Sequence, residues 1–289
     1  MIQLTPKSIS PKSQQTLGKL QRQIDLETTF TTKVSKAQML WKSKGGQGNK
    51  DVFDEIIEQL TQQCVFVGVC NYCEQNEAND IEHIYPKSFF PEMTFLWDNY
   101  LLACKQCNTA YKLDKCYVLD KNNNVSKVNR GKKPKSKSVC FINPKTEDPS
   151  QFIILNLLSF TFELMPHLDK KDRNKAVTTL EILELNTRDT LVHARKSASR
   201  HFYEMLDRLR KILQSATIEE LELLLTPYDE RFDLTQPLGS IKTAILSSYK
   251  NYIITYQHPS VWYSIKKIES KVNPKWKALF NEIPVALSW

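Results

Sequence analysis

The sequence predicts an α+β chain, mostly α, in which a small cysteine-stapled module sits within a larger helical body. Three observations predict it. The 289 residues contain only seven glycines, while apolar residues make up 41% of the chain, enough for a core. Long stretches carry apolar residues at helical spacing. Two Cys-x2-Cys pairs lie close together in the first half.

Residues 1–66 read as a helical lead-in. The stretch 8–44 is polar and helix-prone, with Pro11 near its start and Gly45-Gly46-Gln47-Gly48 as a stop. Val52, Phe53, Ile56, Ile57 and Leu60 then share one helical face, with Asn49 or Asp51 as cap. Residues 67–145 hold the cysteine-rich module and a basic segment, 121–138, that has seven Lys or Arg and no acid. Such a composition predicts a mobile loop without a core, able to grip phosphates or simply to be solvated. Residues 146–289 begin with a hairpin over 152–165 and continue as helices. These start at Asp169 or Asp172, at Thr187, at Thr217 and at Ser240, with a short last one from Pro274 to Phe280.

The formal charge of +8 suits a polyanionic partner. No apolar run approaches the ~18 residues of a membrane span, and the N-terminus has no apolar signal core, so a cytoplasmic protein is expected. Seven cysteines in a reducing compartment point to metal rather than to disulfides.

Cys70-x2-Cys73 and Cys104-x2-Cys107 are separated by thirty residues. Two such turns supply the tetrahedral four-sulfur shell that zinc prefers, and a filled shell makes that zinc structural. An iron–sulfur cluster is the weaker alternative. Cys64, Cys116 and Cys140 lack ligand spacing and read as buried thiols. Zinc should carry much of the module's folding free energy, on the order of 10 kcal/mol, because residues 74–103 show few aliphatic side chains arranged as a core.

Between the pairs lies Asp80-Ile81-Glu82-His83-Ile84-Tyr85-Pro86-Lys87-Ser88, and after them Asn108 and Lys112. Phosphodiester hydrolysis needs a base for water and a cation for the phosphate and the leaving oxygen. His83 has the resting basicity for the first role. Neighbours in a strand point to opposite faces, so Glu82 and His83 can serve one site only if the strand ends there, as Pro86 suggests. Asn108, in the first turn of a helix, could complete with Glu82 a weak oxygen-rich site suited to Mg2+ or Mn2+.

Cys70-x2-Cys73, Glu82-His83, Trp97-x-Asn99, Cys104-x2-Cys107-Asn108 and Lys112 together resemble the HNH (ββα-metal) nucleases. The runs 81–88 and 97–104 more narrowly resemble the HNH subunit of the Septu anti-phage system, including its retron-associated versions. The resemblance implies His83 as general base, Glu82 and Asn108 as ligands of the divalent metal, and Asn99 as the residue holding the loop that orients His83. It also implies a defence role with a partner ATPase, in retron versions alongside a reverse transcriptase. HNH enzymes often carry Asp at the place of Glu82 and His at that of Asn108. Candidate phosphate contacts are Lys112, Lys87, Lys132, Lys133 and Lys135. The chain has no P-loop of its own.

DNA is the expected substrate, and the same groups could cleave RNA such as tRNA, since nothing reports on the 2′-hydroxyl. A non-catalytic zinc-knuckle binder is the alternative; Glu82-His83, Asn99 and Asn108 argue against it, because a binder has no need of them. The basic and imidazole residues of the long helix, Arg188, His193, Arg195, Arg200 and His201, read as a solvated or partner-facing surface, with a second nucleic-acid surface as the alternative. Trp262, Tyr263, Trp276 and Trp289 read as core or interface.

Overall fold

The computed structural model describes residues 1–44, 46, 48–64, 66, 68–227 and 232–289. Gly45 and Gln47, half of the expected helix stop, lie outside the described residues. The chain divides into two compact units, one of residues 1–154 with 161–191 and one of residues 155–160 with 192–289. Helix dominates, and the strands form three two-stranded sheets among the described residues.

In the first unit, the polar stretch from residue 8 resolves into two helices. Helix α1 (Pro11–Asp25) starts at Ser10, whose side chain caps Ser13 N, with Pro11 where a missing N–H costs nothing. Glu55 accepts hydrogen bonds from Ser10 and Ser13, which ties this start to the helix that carries Glu55. Helix α2 (Phe30–Lys42) opens on a reciprocal capping box between Thr29 and Thr32. Helix α3 (Lys50–Gln63) buries Val52, Phe53, Ile56 and Leu60. Ile57, expected on that face, is 46% exposed, and Asn49 occupies the cap position without a side-chain bond.

The central ββα arrangement follows. Strand β1 (Asp80–His83) runs antiparallel to β2 (Tyr100–Ala103), pairing Glu82 with Leu101 and His83 with Tyr100. A seven-residue helix, Gln106–Lys112, closes the motif in π geometry: Leu113 N reaches back five residues to Asn108 O and ends it at a positive φ of 45°. Residues 74–103 bury more than expected, with Ile84, Phe89, Phe90, Phe95, Trp97, Tyr100, Leu101 and Leu102 in the core. The aromatic side chains supply what the aliphatic count did not reveal, so metal is not the segment's sole source of packing.

The basic segment 121–138 also differs from the coreless loop its charges suggest. Strand β3 (Tyr117–Leu119) pairs with β4 (Val125–Lys127) across a turn in which Asp120 accepts from Asn122 N and Asn124 N. Val128 then enters an apolar cluster with Phe89, Phe90, Cys116 and Val118. Leu119 N bonds Ser138 O at 2.8 Å, and Val139 bridges to Val118, so the far end of the segment is laid against β3. A single valine and backbone pairing suffice to anchor a segment that composition alone reads as solvated.

The hairpin over 152–165 is present as β5 (Ile153–Leu155) and β6 (Phe162–Leu164). Helix α4 (Lys170–Ile182) starts at Asp169, whose carboxylate caps Asp172 N. Helix α5 (Asp189–Gln214) begins in the first unit and continues into the second.

The second unit adds α6 (Ile218–Leu224), α7 (Leu238–Ile254), α8 (Pro259–Ser264) and a last helix, Pro274–Glu282. Its core holds Phe202, Leu206, Leu209, Ile245, Trp262, Trp276 and Phe280. Among the described residues no helix is long and apolar enough to cross a membrane.

Candidate active site

Cys70, Cys73, Cys104 and Cys107 are all buried, and their sulfurs lie within 4.8 Å of one another. Cys73 and Cys104 stand 3.9 Å apart, close to the ~3.8 Å edge of a tetrahedron with zinc–sulfur bonds of ~2.3 Å. The left-handed turn at Gly68 (φ 76°) leads into the first pair, and Asn71 Nδ2 donates to Leu102 O at 2.9 Å, tying that turn to β2. The donor set and spacing fit a tetrahedral metal ion. By contrast, burial pushes the thiol of Cys64 up to about 11 and that of Cys116 up to about 12, as expected of inert buried thiols.

Arg188, expected on a solvated or partner-facing surface, is buried. It is 7% exposed, its Nη1 donates to Cys107 Sγ at 3.3 Å, and its guanidinium covers the ring of Tyr111 at 4.4 Å. Arg195 is also buried and donates to Phe160 O. No local pattern marks either residue, since a basic side chain on a helix reads as solvated until a distant partner is known.

A cavity of about 310 Å³ lies over the end of β1. Glu82, His83, Lys87 and Asn108 line it together, with Gln38 and Trp41 from α2, and Asp114 and Arg130 from beyond the ββα motif. Strand β1 ends at His83, which lets neighbours on a pleated strand reach one space.

His83 is 5% exposed, and its Nε2 lies 3.0 Å from Thr94 O. A carbonyl only accepts, so Nε2 carries the proton and Nδ1 keeps its lone pair. Burial first, then the charge of Lys87, holds the imidazole well below its ordinary basicity and therefore neutral at pH 7. Trp41 packs edge-to-face against the ring with centroids 4.2 Å apart, and Tyr100 does so at 5.3 Å while donating to the same Thr94 carbonyl.

Asn99 braces the loop after His83. Its Oδ1 accepts from Tyr85 N at 2.7 Å, and its Nδ2 donates to Tyr85 O at 3.0 Å and to Met93 O at 2.8 Å.

Glu82 is 2% exposed and forms an ion pair with Lys112, which is equally buried and also donates to His83 O at 2.8 Å. Lys112 thus faces inward and not toward a surface phosphate. Burial raises the Glu82 carboxyl above its usual range, and Lys112 opposes the rise. Asn108 Nδ2 stands 3.3 Å from Asp80 Oδ2, which orients the amide nitrogen toward the acid and leaves the amide oxygen as an acceptor. Lys133 and Lys135 line a separate groove, and Lys132 is exposed outside both spaces. Trp41, Asp80 and Arg130 were not singled out by the sequence; each joins the site through tertiary placement.

Residues 70–112 match the family model described as HNH endonuclease. The chain is also similar to Septu protein PtuB of Bacillus thuringiensis, 26% identical over 205 residues, an alignment covering 70% of this chain. The match spans 61% of that relative's length. No solved structure matches the chain to a significant degree.

Proposed function

We propose that the chain is a metal-dependent endonuclease that hydrolyses phosphodiester bonds of DNA and serves as the effector of an anti-phage defence complex under a partner ATPase. One observation carries the catalytic part. Thr94 holds the His83 imidazole as a neutral base in the cavity that Glu82 and Asn108 also line.

In this reading His83 Nδ1 takes the proton of the attacking water. Asn99 keeps the loop from Tyr85 to Met93 in place, so the Thr94 carbonyl stays where the imidazole needs it. Glu82 and the Asn108 amide oxygen would hold Mg2+ or Mn2+, a donor set weak enough to need substrate oxygen. Such an ion supplies charge stabilisation at the phosphate and the leaving oxygen. Lys112 compensates the buried Glu82 charge, and Lys87 brings a cation to the cavity. The four thiolates would hold structural zinc, with Arg188 offsetting part of their charge. The similarity to Septu protein PtuB supports the defence role.

The test is nicking of plasmid DNA, with tRNA in parallel, by wild type and His83→Ala in Mg2+ or Mn2+. Cleavage of DNA by wild type alone is expected. Equal nicking by both proteins would end the enzymatic reading, and cleavage of tRNA alone would move the substrate to RNA.

A further inference from the structure

The groove that holds Lys133 and Lys135 is continuous in chain with the cavity. Pro86, Lys87 and Ser88 line the cavity, while Phe89, Phe90 and Glu92 line the groove. Arg130 lines the cavity, while Lys133, Pro134, Lys135, Ser136 and Lys137 line the groove. The same two chain segments therefore contribute to both spaces.

The groove, of about 330 Å³, has two chemically distinct parts. Lys133, Lys135 and Lys137 are exposed, and the alternating Pro134 and Ser136 are half-buried. All three lysines line this one groove. The other part is apolar: Phe30, from the first turn of α2, is half-exposed, and Phe89 and Phe90 lie beneath. The backbone that presents the lysines is fixed at both ends. Val128 is in the apolar cluster, and Ser138 and Val139 pair with β3. Ser138 N also bonds Ser136 Oγ at 3.1 Å. A purely solvated charge run needs no such anchoring.

A row of cations beside an aromatic floor suits a strand whose phosphates and base faces are both accessible. A duplex presents phosphates but hides its base faces in the stack. Glu92 at the rim is the one acid among the lining residues and does not cancel three lysines.

We infer that this groove binds a single-stranded polynucleotide flank leading out of the His83 cavity, with phosphates on Lys133, Lys135 and Lys137 and a base against Phe30. The inference rests on the nuclease reading for the cavity, and it is tested by binding, which requires no turnover.

Fluorescence anisotropy would compare a 20-nucleotide single strand with a blunt duplex of equal length, in buffer without divalent metal. The variant carries Lys133→Glu, Lys135→Glu and Lys137→Glu; a charge-matched control carries Lys267→Glu, Lys271→Glu and Lys275→Glu. The groove variant should bind the single strand at least about tenfold more weakly, and the log–log salt dependence should become shallower by about 2, as for three lost phosphate contacts. Its duplex affinity should change less than about threefold. Phe30→Ala should weaken the single strand alone, by about five- to tenfold, the worth of one stacked base. Equal single-strand affinity in groove variant and control overturns the inference, and so does an equal loss on the duplex. Activity of the cavity is read separately, on bis(p-nitrophenyl) phosphate with wild type and His83→Ala. Failure there removes the nuclease reading and leaves the binding result standing.

Discussion

The imidazole of His83 and the carbonyl of Thr94, eleven residues apart in the chain, meet at 3.0 Å between Nε2 and oxygen. This contact decides which ring nitrogen can accept a proton, and the loop around Thr94 keeps it in place. Asn99 is the brace of that loop. Asn99→Ala removes three buried or half-buried hydrogen bonds and should cost about 2–4 kcal/mol of stability. The turnover number should fall by at least about tenfold even where the variant is fully folded. Thermal melts beside steady-state rates check this; a full rate in a destabilised variant would separate Asn99 from catalysis.

Lys112 and Glu82 form a buried ion pair. Removing one partner leaves the other charge uncompensated, so Lys112→Met should destabilise by about 3–5 kcal/mol. The double variant Lys112→Met with Glu82→Leu should recover much of that loss. The pH dependence has a definite sign. Burial already raises the Glu82 carboxyl above its ordinary 4.5, and losing Lys112 raises it further. A carboxyl raised in the folded state favours folding below its unfolded value, and that contribution disappears as pH rises through the folded value. Lys112→Met should therefore lose stability relative to wild type as pH climbs from about 4.5. Denaturation midpoints from pH 4 to 8 test it; a constant difference would contradict the assignment.

The sequence made some of this legible. Thiolates that share a metal must recur at tight spacing, so the two cysteine pairs were visible before any fold was known. Helices at Asp169, Thr217 and Pro274 announced themselves through caps and N-terminal proline. Lys112 was not legible as a buried group, because a lysine one turn past a cysteine pair usually covers a helix surface. Trp41 and Arg188 reach the two centres from 42 and 81 residues away in chain, as their contacts with His83 and Cys107 show. No periodicity encodes such a meeting. The segment 121–138 misled in the opposite way, since seven basic side chains conceal a backbone anchored by Val128 and by pairing to β3.

Arg188 touches a cysteine sulfur directly. Replacing it with Ala should weaken zinc binding by about 10- to 100-fold, the usual cost of losing an outer partner of a metal ligand. Arg188→Lys should recover little, because an ammonium cannot both donate to Cys107 and cover Tyr111 as a planar fork does. Chelator competition measures the metal affinity directly. Unchanged affinity would reduce Arg188 to a packing residue.

Cleavage at this site depends most on His83 acting as the base. The decisive measurement is the single-turnover rate of DNA cleavage at saturating Mg2+, wild type against His83→Ala, with metal content and melting temperature matched. A fall of about 10²- to 10⁴-fold is expected for loss of a positioned general base. Cleavage by the alanine variant at the wild-type rate would contradict it.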